Sequence, residues 1–282
     1  MIPNWLAQHE RVPCPYKYVV MEVTEQRTPD IGDPNDEIVN SLANNLLWAH
    51  GDPEMIRREC MMLLEDSDEL DLHIIRDYVA HEILPGNGKG FELSTWIGDF
   101  GEVLAAQFLI ELEDYWFPIY KLRFREKRRL AMKLTDLCLI KTKGLPVPLI
   151  CFGEVKTRSS QSKCNLNLGV EGHESLKKDD ALDEPEILKF VCSLLYSMMK
   201  FDEAMFLSRL RLDKASYTKK HTLFLIHEAS TWDDRILKNL HVQELDPRLT
   251  DFSVRVVLVK QLRQLIDESY ARAWQGVVPI LQ

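Results

Sequence analysis

The chain is 282 residues long, 45% hydrophobic and 28% charged, with a formal net charge of −9. That is enough apolar material for one large domain or two small ones. No run of about 20 apolar residues exists to form a transmembrane helix, and no membrane partner is expected. Met1-Ile2-Pro3-Asn4-Trp5 lacks a basic start followed by an apolar run, so no secretory signal is read. The six cysteines are scattered without a Cys-x-x-Cys pair and read as reduced thiols, which sets the expected location as cytoplasmic.

In chain order, Tyr16 to Val23 has the composition of a strand. Asp36 to Ala49 then shows helical spacing of apolar residues. Asp52-Pro53 is a helix start, with Asp52 as N-cap and Pro53 at the first helical position, and that helix runs to about Leu64. Leu70 to Leu84 is a second amphipathic helix, stopped by Pro85-Gly86-Asn87-Gly88. This stretch lacks phosphate-loop spacing and is taken as a linker. The expected organisation is therefore an acidic, mostly helical subdomain with one strand over 1–88, and a second domain over 89–282. Beyond the linker, Ser94 to Leu112 is a strong helix containing Glu102, and a strand is expected near Ile119 to Phe124.

The runs Leu134 to Ile140 and Leu149 to Lys156 flank the turn signal Lys143-Gly144-Leu145-Pro146 and predict a hairpin. Thr157 to Glu171 is polar and reads as a loop. Glu184 to Phe206 reads as one long helix, His221 to His227 and Phe252 to Val259 as strands, and Gln261 to Trp274 as a closing helix. This alternation predicts an α/β fold, a mixed central sheet flanked by helices. There is no Gly-x-x-x-x-Gly-Lys loop, no Gly-x-Ser-x-Gly elbow and no Gly-x-Gly-x-x-Gly, so the chain is not read as an ATPase motor of its own.

The charge is unevenly placed. Residues 1–100 hold 7 Lys+Arg against 19 Asp+Glu, and the remainder holds 28 against 25. The acidic part suits docking of a protein partner. The run Tyr120 to Lys133 carries seven basic residues and one acidic. Such a run is either a solvated face or, beside a catalytic site, a phosphate track. Lys121, Arg123, Arg125, Arg128, Arg129 and Lys133, with Arg158 further on, are the candidate nucleic-acid contacts.

The segment Cys151-Phe152-Gly153-Glu154-Val155-Lys156 is an apolar strand ending in Glu-x-Lys. Strand alternation puts Glu154 and Lys156 on one face. The hairpin lays Asp136 roughly opposite Glu154, where Cβ atoms are about 5 Å apart. Two carboxylates at that separation can hold Mg²⁺ or Mn²⁺, hard ions that favour oxygen ligands. Lys156 then points into the same volume, where a cation can orient water or stabilise charge on phosphorus. Glu102, on the preceding helix, is the candidate third acid. The competing reading is a structural ion pair, because a charged pair closing an apolar run needs partners. Helix Glu, strand Asp, strand Glu-x-Lys is the order found in PD-(D/E)xK nucleases.

The stretches GDFGEVLAAQFL, KLTDLCLIK and ICFGEVKTRSS, followed by a long apolar helix and HTLFLIHEA, resemble the HamA family, the nuclease subunits of the Hachiman antiphage defence system. The resemblance covers most of the chain and is densest from Gly98 to Ser160. It implies a PD-(D/E)xK (restriction-endonuclease-like) core, a DNA substrate, and a HamB-like superfamily-2 helicase as partner that restrains the nuclease until aberrant DNA is met. It makes Asp136 and Glu154 metal ligands, Lys156 the catalytic lysine and Glu102 the helix acid. Thr135 stands where the motif usually has proline, and no Gln-x-x-x-Tyr follows in the late helix. The alternatives are a restriction- or repair-type endonuclease acting without a helicase, and a non-catalytic subunit that keeps the fold as a DNA clamp.

Overall fold

A computed structural model describes residues 5–65, 71–86, 91–124, 135–160, 164–178, 182–213 and 216–282. Six strands form one mixed sheet: β1 (Leu6–Glu10), β2 (Val19–Glu25), β3 (Leu137–Lys141), β4 (Leu149–Arg158), β5 (Thr218–Glu228) and β6 (Ser253–Val259), in the order β1-β2-β6-β5-β4-β3. The two edge pairs, β1–β2 and β3–β4, are antiparallel, and the inner pairs β2–β6, β6–β5 and β5–β4 are parallel. Parallel strands carry helices on both faces and read as continuous apolar runs. The sequences HTLFLIH and VRVVLV, at the centre of this sheet, have that character.

Alternation along the strands sorts the core into faces. Leu137, Leu139, Cys151, Val155, Phe224, Ile226, Val257 and Val259 pack against the helices α1 (Glu37–His50), α2 (Pro53–Leu63), α3 (Leu72–Tyr78), α4 (Phe91–Glu113) and α9 (Leu262–Arg272). The other face is covered in two patches. Cys138, Ile140, Ile150 and Phe152 meet α6 (Glu184–Ser197) and α7 (Phe201–Leu212). Val20, Leu223, Leu225, Val254 and Val256 meet α5 (Leu168–Leu176) and α8 (Arg235–Val242). The result is the helix–sheet–helix sandwich predicted from the sequence.

Helix starts are set locally. Asp36 caps α1 by accepting from Ile38 N and Val39 N at 2.9 and 3.0 Å, and Asp52 caps α2 with Pro53 in its first turn. Several expectations are corrected. The chain near Ile119–Phe124 is not a strand: it touches β3 through a single bridge, Trp116 to Ile140, and then forms a 3-10 turn over Lys121–Phe124. Pro118, with no N–H to offer, cannot extend that pairing. The helix expected over Glu184–Phe206 is two helices. Met199 takes a left-handed φ of 59°, and Lys200 N donates to Leu195 O at 2.9 Å, closing α6 with a Schellman-type cap. The helix expected over 70–84 is α3, starting after an Asp71 cap and continued by a π-helical turn, Val79–Ile83. The strand expected from Tyr16 begins at Val19, and the loop expected over 157–171 yields to the end of β4 and the start of α5.

The N-terminal part contributes two strands rather than one. β2 pairs with β6 from the far end of the chain, and α1 shares a core with α4 and α9. The linker residues Asn87 and Gly88 lie outside the described residues. Among the described residues all six cysteines are free thiols, four of them buried. No helix among the described residues is long and apolar enough to cross a membrane.

Candidate active site

The site lies where the β3–β4 pairing ends. The last paired residues are Leu137 and Gly153. Asp136 and Glu154 are the next residues of the two chains, just past that last pair. From Glu154 onward β4 has no β3 neighbour, and Asp136 Oδ2 accepts the Val155 N–H at 2.9 Å instead. Thr135, buried, donates its hydroxyl to Gly153 O at 2.7 Å and so ties the entry of β3 to β4 one residue before Glu154. Lys156 Nζ donates to Glu154 Oε1 at 2.7 Å, consistent with both side chains lying on one strand face.

Helix α4 brings the third acid. Val155 and Thr157 meet α4 at Gly101, where a Cβ would fall 1.9 Å from Thr157 Oγ1 and 3.2 Å from Val155 Cγ1. Only a residue without a side chain lets the helix lie this close. Glu102, the next residue, reaches Lys121 Nζ at 3.7 Å, and the same ammonium is 2.8 Å from Asp136 Oδ1 and 3.3 Å from Thr135 O. Lys121 therefore bridges Glu102 and Asp136.

The electrostatics separate the two strand carboxylates. Burial, with the Asp136 charge alongside, pushes the Glu154 carboxyl up to about 7, although Lys156 and Lys121 pull the other way. Burial also opposes ionisation of Asp136. There the charge and hydrogen bond of Lys121, with the Val155 N–H, prevail and hold the carboxyl below its ordinary value. The Lys121 ammonium is raised in turn: burial disfavours its charge, but Asp136 and Glu102 outweigh it.

Two of the residues expected on the phosphate track face inward. Lys121 is in the acidic cluster, and Arg123 donates through both Nε, at 2.8 Å, and Nη2 to Trp48 O on α1. Arg158 is exposed at the end of β4. Arg125, Arg128, Arg129 and Lys133 lie outside the described residues. Reading the run by its charge missed the structural use of Lys121 and Arg123, and nothing in the sequence signalled the bond of Thr135 to Gly153. The alternation of Lys121, Arg123 and Arg125 with Leu122 and Phe124 was the available signal that part of the run is anchored in the core.

Among the described residues no three His, Cys, Asp or Glu side chains form a group able to hold a metal ion by themselves. The donor set nevertheless fits a hard divalent cation. Asp136 and Glu154 supply carboxylate oxygens, and repulsion by the Asp136 charge adds to burial in raising the Glu154 carboxyl. A cation between them relieves that repulsion, and Mg²⁺ characteristically takes one or two carboxylates and keeps several waters.

Fold and site together define an α/β protein with a nuclease-like core: a mixed six-stranded sheet flanked by helices, with acids and a lysine gathered where one hairpin opens. The chain belongs to the HamA family, whose model matches residues 31–273, and is thereby a Hachiman defence-related protein. None of the curated proteins matches it.

Proposed function

We propose that the chain is a metal-dependent deoxyribonuclease, the effector subunit of a helicase-coupled antiphage complex. The observation that supports the reading is that Asp136 and Glu154 follow directly on the last β3–β4 pair, with Lys156 bonded to Glu154 and Glu102 linked to Asp136 through Lys121. Asp136 and Glu154 would hold Mg²⁺ or Mn²⁺. When bound there, the ion polarises a phosphate oxygen and lowers the pKa of a water.

The chain's own groups do the rest. Lys156, fixed by Glu154, presents an ammonium that orients the attacking water or stabilises negative charge developing on the phosphate. The Val155 N–H and Lys121 Nζ each hold one oxygen of Asp136 and so fix its orientation. Arg158, one turn of the strand pleat beyond Lys156, is placed to meet a neighbouring phosphate. The acidic surface of residues 1–100 is the proposed docking region for the helicase. A cytoplasmic location accords with the free thiols.

The test uses the purified chain, alone and co-expressed with the helicase, on supercoiled and linear DNA with Mg²⁺, with or without ATP, and with EDTA. Metal-dependent cleavage should fall at least 100-fold in Glu154→Gln and Lys156→Ala proteins whose circular dichroism matches wild type, a loss of the size reported for single electrostatic groups at such centres. Cleavage that persists in both folded variants would sink the site assignment. DNA binding without cleavage under every condition would favour a clamp over an enzyme.

A further inference from the structure

Lys121 is not a surface lysine that happens to lean on an acid. Its side chain is 11% exposed and its Nζ has three oxygen neighbours: Asp136 Oδ1 at 2.8 Å, Thr135 O at 3.3 Å and Glu102 Oε2 at 3.7 Å. The backbone that carries it is held on both sides. Tyr120 stacks edge-on against Phe117, and its hydroxyl accepts from Gln107 of α4 at 2.7 Å. Leu122 is buried, and Arg123 is bonded to the Trp48 carbonyl of α1. The position of the ammonium is thus built into the fold.

Its location creates a conflict. The carboxylate oxygen that Lys121 occupies belongs to Asp136, the residue best placed to bind a divalent ion with Glu154. An ammonium at hydrogen-bond distance from that oxygen and a dication on the same carboxylate repel each other, and the short separation and low local dielectric make the repulsion strong. Without any cation, Asp136, Glu102 and Glu154 would repel one another in a partly buried space, which is costly.

We infer that Lys121 is a resident counter-ion of the acidic cluster: it holds Asp136 and Glu102 together in the metal-free protein, and a divalent ion must displace it from Asp136 to bind. Metal affinity is thereby kept lower than the carboxylates alone would give, and whatever moves the Lys121–Phe124 turn alters it. The inference rests on the metal-site reading above.

The experiment is an electron paramagnetic resonance titration of Mn²⁺ into the full chain, in the absence of DNA. It compares wild type with Lys121→Gln, Lys121→Arg and Asp136→Asn, each checked for folding by circular dichroism. Lys121→Gln should bind Mn²⁺ about tenfold or more tightly than wild type. Lys121→Arg, which keeps the charge, should bind no more tightly than wild type, so it separates charge from packing and serves if the Gln protein does not fold. Asp136→Asn should lose binding. If binding depends on Asp136 but is unchanged or weaker in Lys121→Gln, or is tightened equally in Lys121→Arg, the counter-ion inference is overturned and the metal site stands. If no Mn²⁺ binds to wild type or Lys121→Gln, or binding ignores Asp136→Asn, the metal-site reading fails and takes the inference with it.

Discussion

Glu154→Gln should make the metal-free protein more stable at pH 8 while removing its proposed chemistry. The Glu154 carboxyl is pushed up from an ordinary 4.5 to about 7 by burial and by Asp136. Between those two values the folded protein holds a proton that the unfolded chain releases, so stability falls as pH rises through that window. Below pH 4.5 the group is protonated in both states and contributes nothing; above 7 the full cost of ionising it is present. At about 1.4 kcal/mol for each tenfold change in proton affinity, the cost is on the order of 3 kcal/mol. Glutamine mimics the protonated carboxyl and escapes it. Asp136 does not confuse the result. Its carboxyl lies below the ordinary 3.8, so its stabilising contribution is lost only as pH falls beneath that value. Urea denaturation of both proteins in EDTA, at pH 4.5 and pH 8, measures the difference. The variant should be nearly equal to wild type at the lower pH and more stable by up to about 3 kcal/mol at the higher. A variant that is less stable than wild type at pH 8 would show that Glu154, paired with Lys156, stabilises the fold, which is the structural ion-pair reading of Glu-x-Lys.

Two further outcomes probe how the site is positioned. Gly101→Ala should destabilise by up to about 2 kcal/mol in chemical denaturation, because overpacking costs about 1–3 kcal/mol against roughly 1 kcal/mol of helix propensity gained. Adding Thr157→Ala, which removes the atom 1.9 Å from the new Cβ, should recover most of the loss; strictly additive effects would mean that helix and strand are not in tight contact there. Glu113→Ala should cost about 3 kcal/mol, since it removes the carboxylate 2.7 Å from Nη2 of the buried Arg255 and leaves that charge the hydroxyls of Thr222 and Ser253. A loss under about 1 kcal/mol in the same assay would show that the Thr222 and Ser253 hydroxyls, or water, suffice for the Arg255 charge.

The parts of the fold legible in the sequence were those with a strong local signature. The Asp36 and Asp52 caps, the apolar helix around Glu102, the Gly144 turn and the β4, β5 and β6 runs each signal one element without outside help. The antiparallel β3–β4 hairpin followed from them, its last pair being Leu137 and Gly153, one residue short of Asp136 and Glu154. What escaped depended on distant contacts or small departures from the usual residue. β1, with Gln8, His9 and Glu10, has no alternation of its own and exists because β2 offers it an edge. The break between α6 and α7 hides in an apolar run because Met199, rather than glycine, takes the left-handed conformation. Composition alone did not show that Lys121 and Arg123 of the basic run point inward while Arg158, beyond it, is exposed. That division is set by the docking of the Lys121–Phe124 turn against α1 and α4; the alternation with Leu122 and Phe124 signals the anchoring but not the partners.

The strand order also governs when the molecule is complete during its synthesis. The β3–β4 hairpin can close on itself, but β4 gains its parallel neighbour only when Thr218–Glu228 emerges. The sheet is sealed only when β6 arrives to join β5 to the waiting β1–β2 pair. From Arg158 to Ser253 the ribosome adds about 95 residues, which takes roughly 5–20 s at ordinary elongation rates. Throughout that interval the acids and the lysine already exist in the nascent chain without the sheet that aligns them. A chain interrupted before its last strand is left with an unsealed sheet, its β1–β2 pair without the parallel neighbour that β6 provides.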